Sequence, residues 1–368
     1  MRETQILPLV VIALVAALVS VVAMWSLDRS GQGVDLTKTV RGSDTFIEWK
    51  LVTTWPKGLP GLGAAPENFA RRVNEASGGR LRIKVFGAGE IVPPFEVFDA
   101  VSRRVAEAGH GASYYWKGKI PAAVFYTAVP FGMTAQEANG WLHYGGGLAL
   151  WRELYEPFGV VPFAGGSTGV QMAGWFNKRL NNREDLAGLK MRIPGLAGEV
   201  FDAAGGSAVR IAGGEVYTSM QTGVIDAVEW VGPYNDRTLG LMEVGDYYYY
   251  PGWHEPGAML EIIVNKEALA ALPEDLQAIV TVAARATNSD MLDDFTAHNS
   301  ESLEILLRDF DMELLPLPDD VMDVLYEQSQ VAVQALIEAD PMAEKIAASY
   351  FDFFQRVRTY HEISERAY

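Results

Sequence analysis

The 368-residue chain contains no cysteine. That excludes disulfides, thiolate metal sites, cysteine nucleophiles and a lipid-anchored N-terminal cysteine. Basic charge is also short: 30 Lys and Arg stand against 47 Asp and Glu, giving a net charge of −17. Nucleic acid and anionic membrane surfaces both require a basic footprint and are excluded as partners. An acidic chain that holds an anion must do so through a few buried cations rather than its overall field. Histidines are few and scattered: His110, His143, His254, His298 and His361 form no HExxH or similar cluster. A zinc-type site is therefore not expected, and His254 reads as structural or solvent-facing. The glycine-rich segment Lys57–Gly63 lacks GxGxxG spacing and contains a proline, so it reads as a loop over a cleft rather than a dinucleotide site.

Apolar residues are plentiful, at 49% with 11% aromatics, which with this length suits a packed protein of two lobes. Ile6 to Leu27 carries no charge and follows Arg2. The run is long for a signal-peptide core and suits a membrane span. No small-x-small cleavage site follows it, because Ala23-Met24-Trp25 is bulky. Residues 1–30 are therefore expected to be an export signal, either removed or kept as an N-terminal anchor, with 31–45 as a polar tether.

Strand and helix patterns then alternate, the α/β signature. Glu48–Thr54 reads as a strand, a helix opening at Pro66 stops at Gly78-Gly79, Leu81–Val85 reads as a strand, and Phe95–Val105 as a helix. Tyr114 and Tyr115 fall at the end of an expected strand, where either could cover a ligand or plug the core. Trp141–Phe158 reads as a helix and Val160–Phe163 as a strand. Gly165-Gly166-Ser167-Thr168-Gly169 matches the G-x-S-x-G nucleophile elbow, but an elbow needs a helix next. Gly169–Phe176 alternates like a strand, so a hydrolase built on Ser167 is the minor alternative and a glycine-rich crossover between lobes the main reading. Gln171 is the polar residue in that apolar stretch.

Asp185 to Trp230 organises the rest. Lys190–Ile193 reads as a strand stopped by Pro194-Gly195, Leu196–Ala204 as a helix, Ala208–Ile211 as a strand, Glu215–Thr222 as a helix and Ile225–Trp230 as a strand. Arg192 and the Glu229-Trp230 pair then stand at carboxyl ends of strands, where open α/β sheets bind ligands. A cation and a carboxylate facing one crevice suggest a small anion, with a metal counter-ion. A guanidinium can grip a carboxylate with two parallel hydrogen bonds. Tyr247–Tyr250 reads as a strand crossing between lobes, and Glu255 in the loop after it is a second carboxylate candidate. Glu274 to Leu315 has neither proline nor glycine. It is expected to be one long helix or two with a bend near Thr287–Ser289, serving as a spine or as a dimerisation element. Val321–Ala339 and Met342–Tyr360 read as two further helices.

GLKMRIPG followed by GGEVYTSMQTGVIDAVEW resembles the solute-binding proteins of tripartite ATP-independent periplasmic (TRAP) transporters, and within them the branch that binds α-keto acids. The similarity runs from about Phe46 to at least Ala283. It implies a two-lobed α/β binding protein with a cleft between lobes, not an enzyme, located in the periplasm and docking on membrane permease subunits. Lobe I is expected to comprise 46–168 plus about 249–273, and lobe II 169–248 plus about 274–368. The resemblance further implies Arg192 as carboxylate ligand, Gln171 touching both ligand and metal, and at least one of Tyr114 and Tyr115 lining the pocket. Gln171, Glu229, the Trp230 backbone and Glu255 are then oxygen donors suited to sodium or calcium, with no organic cofactor. Trp230 is left to stack on ligand or to brace its strand. A homodimer through the long helix, and a sensing or scaffolding role without a permease, follow as lesser expectations.

Overall fold

The computed structural model describes residues 46–367; the expected export segment and tether lie outside them. Eleven strands, β1–β11 in chain order, form two sheets. The first has five: β1 (Ile47–Thr53), β2 (Leu81–Phe86), β3 (Ala108–Gly111), β4 (Val160–Ser167) and β10 (Met259–Asn265). Their order is β2-β1-β3-β10-β4, with β1 parallel to both neighbours and β10 antiparallel to both of its own. The second sheet holds β5 (Gly174–Phe176), β6 (Lys190–Arg192), β7 (Ser207–Val209), β8 (Ala227–Val228), β9 (Tyr247–Tyr250) and β11 (Glu313–Pro316). Its order is β11-β9-β5-β8-β6-β7, and β6 runs parallel to β7 and β8.

The parallel strands follow from helical crossovers between them. Helix Ala64–Ala76 joins β1 to β2 and buries Phe69, Ala70 and Val73 against Leu51, Leu81 and Val85. It ends where Gly78 and Gly79 take φ of +61° and +80°, a region glycine enters without a Cβ clash. Helix Gly195–Ala203 joins β6 to β7 and buries Leu196, Val200 and Phe201. Among the described residues no helix is long and apolar enough to cross a membrane.

Several expected elements differ. The 141–158 helix is two helices, Ala135–Tyr144 and Gly147–Tyr155, parted where Gly146 takes φ +89°. The 95–105 helix is a 3₁₀ turn followed by Val97–Ser102. β4 continues through Ser167, so Gly165–Ser167 is sheet rather than crossover, and the crossing starts at Thr168. The strand expected over 169–176 shrinks to β5: Gly169, at φ +69°, leaves extended geometry, and pairing with β9 begins only at Gly174. Gln171 thus lies on a crossing segment, not in a strand. Tyr247–Tyr250 does not cross: β9 pairs with β5 and β11 inside the second sheet, so Tyr249 and Tyr250 belong there. The 225–230 strand keeps only Ala227 and Val228, and β11 was not anticipated.

Glu274–Asp309 is one helix of 36 residues, about 54 Å long at 1.5 Å per residue, the first of the two alternatives, and it stops short of Leu315. Thr287 sits inside it and donates to the Ala283 carbonyl at 2.8 Å. Leu276, Val280, Ala283 and Ala284 pack into the core under the first sheet, and Met291, Phe295 and Leu306 continue into the main core, as a spine would. Helix Asp319–Ala339 sends Val321, Val324 and Leu325 into the second sheet's core. Helix Pro341–Ile363 returns to the first: Tyr350 Oη accepts from Met133 N at 2.8 Å, and Trp141 Nε1 donates to Ser349 Oγ at 3.1 Å. The C-terminal helices are therefore shared between the sheets.

Candidate ligand and metal site

The carboxyl ends of the parallel strands of both sheets meet at one place. Beyond β1 stands Trp55; beyond β3 a 3₁₀ turn, Ser113–Trp116, carries Tyr114 and Tyr115. Arg192 ends β6, and Glu229 and Trp230 follow β8 directly. Glu229 N donates to Arg192 O at 3.0 Å, extending the β6–β8 ladder by one step and fixing these two side chains as neighbours.

Two crossing segments run beside one another beneath them. Gln171 N donates to Glu255 O at 3.2 Å, Gly252 N to Gln171 O at 3.0 Å, and Thr168 N to Ala258 O at 3.1 Å. Each segment thereby delivers one site residue, Gln171 or Glu255. A Cβ on Gly252 would lie 2.2 Å from Gln171 O, so only glycine permits this approach. Gly252→Ala is accordingly expected to push the segments apart and to weaken ligand binding at least tenfold. Calorimetric titration checks this, and an affinity equal to the parent's would sink the pairing as a requirement.

Together Trp55, Tyr114, Tyr115, Gln171, Arg192, Trp230 and Glu255, with Leu62, Thr168, Val231, Ala258 and Leu260, line one small pocket. The two sheets touch across it. Arg210 Nη1 donates to Tyr115 O at 3.1 Å, Lys117 pairs with Glu199, and the Tyr114 ring lies against Gly195, where a Cβ would sit 3.1 Å from Cδ1. The cleft is closed.

Arg192 is 1% exposed and heavily engaged. Its Nη1 donates to Glu229 O (2.7 Å) and Glu229 Oε2 (2.9 Å), Nε to Ile211 O (3.2 Å) and Nη2 to Tyr115 Oη (3.2 Å). Trp230 lies under it with 4.8 Å from Cζ to the ring, a cation–π contact that braces the guanidinium. A guanidinium has five N–H donors. Four are in use, so one Nη2 hydrogen and the Tyr115 hydroxyl, which accepts from Arg192 and keeps its own proton to give, remain for a ligand carboxylate. Arg192 therefore does not keep two free parallel donors of its own, and the Tyr115 hydroxyl stands beside the one that is left.

The acidic side is less satisfied. Gln171 Nε2 donates to Glu255 Oε2 at 2.6 Å and to Thr168 Oγ1 at 3.0 Å, leaving Gln171 Oε1 buried with no hydrogen bond. Glu229 Oε1 is likewise buried with none. Burial first, and then the Glu229 charge, push the Glu255 carboxyl well above the usual carboxylate range. Two carboxylates face one guanidinium, and two acceptor oxygens lack donors. A bound cation would supply what is missing, so the residues fit a metal.

Of the two readings of His254, structural or solvent-facing, burial removes the second: it is 1% exposed, with Nε2 3.5 Å from Glu229 Oε1. Sequence spacing hid it, because its companions Glu229 and Glu255 come from different segments. Trp55 also escaped notice, although the strand-end rule that selects Arg192 selects it too. Its indole donates to His110 Nδ1 at 2.8 Å. Asp236 was a further miss. It accepts from Trp175 Nε1, Tyr248 Oη and the backbone N–H groups of Val231 and Gly232, and so fixes the chain just after Trp230. Burial nonetheless pushes its carboxyl up to about 7 against those four donors.

Ser167 lacks the surroundings of a nucleophile. It ends a strand, its Oγ accepts from Gly169 N at 3.2 Å, and no helix follows. His110 has one ring nitrogen on Trp55 and the other 3.2 Å from Gly165 O, and burial lowers its pKa to about 4.

Residues 51–340 match the family model described as bacterial extracellular solute-binding protein, family 7. A monocarboxylate 2-oxoacid-binding periplasmic protein of Nostoc sp. is 40% identical over 332 residues, spanning 90% of this chain and 91% of the relative. A TRAP periplasmic solute-binding protein from Colwellia psychrerythraea, crystallised with calcium and pyruvate, superposes with a TM-score of 0.86 at 41% identity, over 88% of this chain and 99% of that one. One from Pseudoalteromonas atlantica, with sodium and pyruvate, gives 0.86 at 40% identity, over 88% and 98%. The chain belongs to this family: it is a solute-binding protein of the TRAP transporter type, a receptor and not an enzyme.

Proposed function

We propose that this protein captures a small monocarboxylate bearing an adjacent oxygen, a 2-oxo acid such as pyruvate or a 2-hydroxy acid such as lactate, together with a metal cation. It then presents the closed form to the membrane subunits of a TRAP permease. The observation that carries this reading is the pair of buried, donorless oxygens, Gln171 Oε1 in the cavity that Arg192 lines and Glu229 Oε1 on the carboxylate bonded to Arg192. The relatives crystallised with pyruvate and either calcium or sodium support it.

Arg192 and Tyr115 would receive the ligand carboxylate, with Trp55, Trp230 and Leu260 as apolar walls. Gln171, Glu229, Glu255 and the Trp230 backbone would hold the cation, and the cation would chelate a carboxylate oxygen and the neighbouring keto or hydroxyl oxygen. The charge balance turns on Glu255: with it ionised, three negative groups face the single Arg192 cation and a dication brings the buried set to neutrality, whereas with it protonated sodium does so.

Because Gln171 and Glu255 lie on the crossing segments, holding the cation also ties the two segments together. One lobe would carry the five-stranded sheet and the other the six-stranded sheet, hinged at 168–173, 229–235 and 251–258. The periplasm is the compartment this function requires, reached through the signal expected in residues 1–30. A homodimer through Glu274–Asp309 would have to use its solvent face, where Val282 and Leu307 are exposed. Sedimentation of the purified chain tests that arrangement.

The decisive experiment is thermal melting of residues 30–368 against 2-oxo acids, 2-hydroxy acids, dicarboxylates and sugars, each with sodium, calcium or chelator. A ligand at a hundred times its dissociation constant stabilises by about 2.7 kcal/mol. A cation-dependent shift with a 2-oxo or 2-hydroxy acid is expected. Shifts confined to sugars or dicarboxylates would overturn the ligand class.

A further inference from the structure

A second cavity lies outside the cleft and shares no lining residue with it. Phe163 and Ala164 of β4 are buried along one side of it, and Arg152 and Arg285 are exposed along the other. It holds about 90 Å³, several times the space one water needs. Helix Gly147–Tyr155 brings Leu148 and Arg152 there on one face, four residues apart, and the long helix does the same with Thr281 and Arg285. Helix Ala135–Tyr144 adds His143.

The polar groups of this cavity lack partners in the chain. Among the described residues neither Arg152 nor Arg285 has an ion pair or hydrogen bond. The carboxylates next to Arg152 are taken, Glu153 by Lys345 and Glu156 by Lys266. The Arg152 guanidinium instead lies over the Phe163 ring, with Cζ 5.7 Å from its centroid, which holds it at the cavity. His143 Nε2 is buried without a hydrogen bond. Burial and then the Arg285 charge lower the pKa of this ring, so it is neutral at pH 7 and can offer an N–H there. In a chain of net charge −17, two unpaired arginines and an unpaired imidazole nitrogen on one cavity leave an anion as the missing partner.

We propose that this cavity is a second ligand site, built for a small aliphatic carboxylate. Arg152 and Arg285 take the carboxylate, the His143 ring supplies a third donor, and the hydrocarbon chain lies against Leu148, Phe163 and Ala284. Guanidinium pairs accept carboxylate and phosphate alike. The apolar wall decides between them, because a hydrocarbon chain gains by leaving water there and a phosphate does not. The site uses neither Arg192 nor the acidic residues of the cleft, so it can fill while the cleft is closed around its own ligand.

The test uses the full chain with calcium and pyruvate present throughout, titrated with acetate, butyrate and inorganic phosphate. The parent is compared with Arg152→Ala, Arg285→Ala and the double variant; both side chains are exposed, so the fold survives their loss. The His143 ring-proton resonance, assigned by its disappearance in His143→Gln, reports this cavity separately from the cleft. Butyrate is expected to shift that resonance saturably and to bind at least fivefold more tightly than acetate or phosphate. Each single variant should weaken butyrate binding at least fivefold and change pyruvate affinity less than twofold. An unmoved resonance, or arginine variants that bind butyrate as the parent does, overturns the proposal. So does acetate or phosphate binding as tightly as butyrate, or a loss of pyruvate affinity that matches the loss of butyrate. A parent that fails to bind pyruvate bears on the cleft alone, and the His143 resonance still decides this site.

Discussion

Arg192→Lys is expected to lower the affinity for 2-oxo acids by roughly ten- to a hundredfold, the worth of one charge-assisted hydrogen bond at about 1.5–3 kcal/mol. Lysine keeps the charge but cannot reach Glu229 O, Glu229 Oε2, Ile211 O and Tyr115 Oη together, as the guanidinium does. Tyr115 then loses the donor that orients its hydroxyl, and the carboxylate loses both of its partners. Arg192→Ala is the harsher change. It leaves Glu229 buried without its counter-charge, and breaking a buried pair in this way costs about 3–5 kcal/mol. The ion pair at 2.9 Å between two side chains each 1% exposed is what makes the alanine variant a test of the fold as well as of binding. Calorimetric titration measures the first effect and denaturant unfolding the second. Unchanged affinity in the lysine variant would remove Arg192 from the carboxylate site.

Glu229→Gln is expected to abolish the cation-dependent part of ligand binding. An amide offers one neutral oxygen where the carboxylate offers two charged ones. Its oxygen would be drawn to Arg192 Nη1, which turns the NH₂ group toward His254 and into the space the cation would occupy. Calcium affinity should fall at least tenfold, and the thermal shift with a 2-oxo acid should be the same with calcium or with chelator. The fold should tolerate the change better than Arg192→Ala, since Arg192 keeps the Glu229 carbonyl and an amide oxygen as acceptors. A variant that still binds as tightly as the parent, and still responds to calcium, would show that the cation sits elsewhere or plays no part.

The α/β architecture was legible wherever local signals agreed. The Gly78-Gly79 stop, the KMR strand ending at Pro194-Gly195, and the helix across Gly195–Ala203 lie close to where periodicity and turn chemistry put them. The long helix was legible for the same reason, as an apolar pattern free of proline and glycine. Reading failed where a tertiary requirement overrode alternation. VQMAGWF alternates like a strand, but its first residues form a crossing segment held by hydrogen bonds to residues about 80 positions away, such as Gln171 to Glu255. Tyr247–Tyr250 looked like a crossing because its aromatic run and the following Pro-Gly carry no mark of which sheet will pair with it.

The sequence by itself determined the chemistry available: oxygen and nitrogen donors without thiols, one arginine at a strand end in a motif of recognisable kind, and carboxylates placed to receive a cation. Those are local facts of residue type and spacing. Only the tertiary structure decided which of these groups meet. It brought His254 against Glu229, set the Tyr115 hydroxyl against the Arg192 guanidinium, and laid the segments of Gln171 and Glu255 side by side. The reason is physical: burial and pairing are set by chain crossings between two sheets, and segments distant in sequence leave no periodic trace of the cavity they will share.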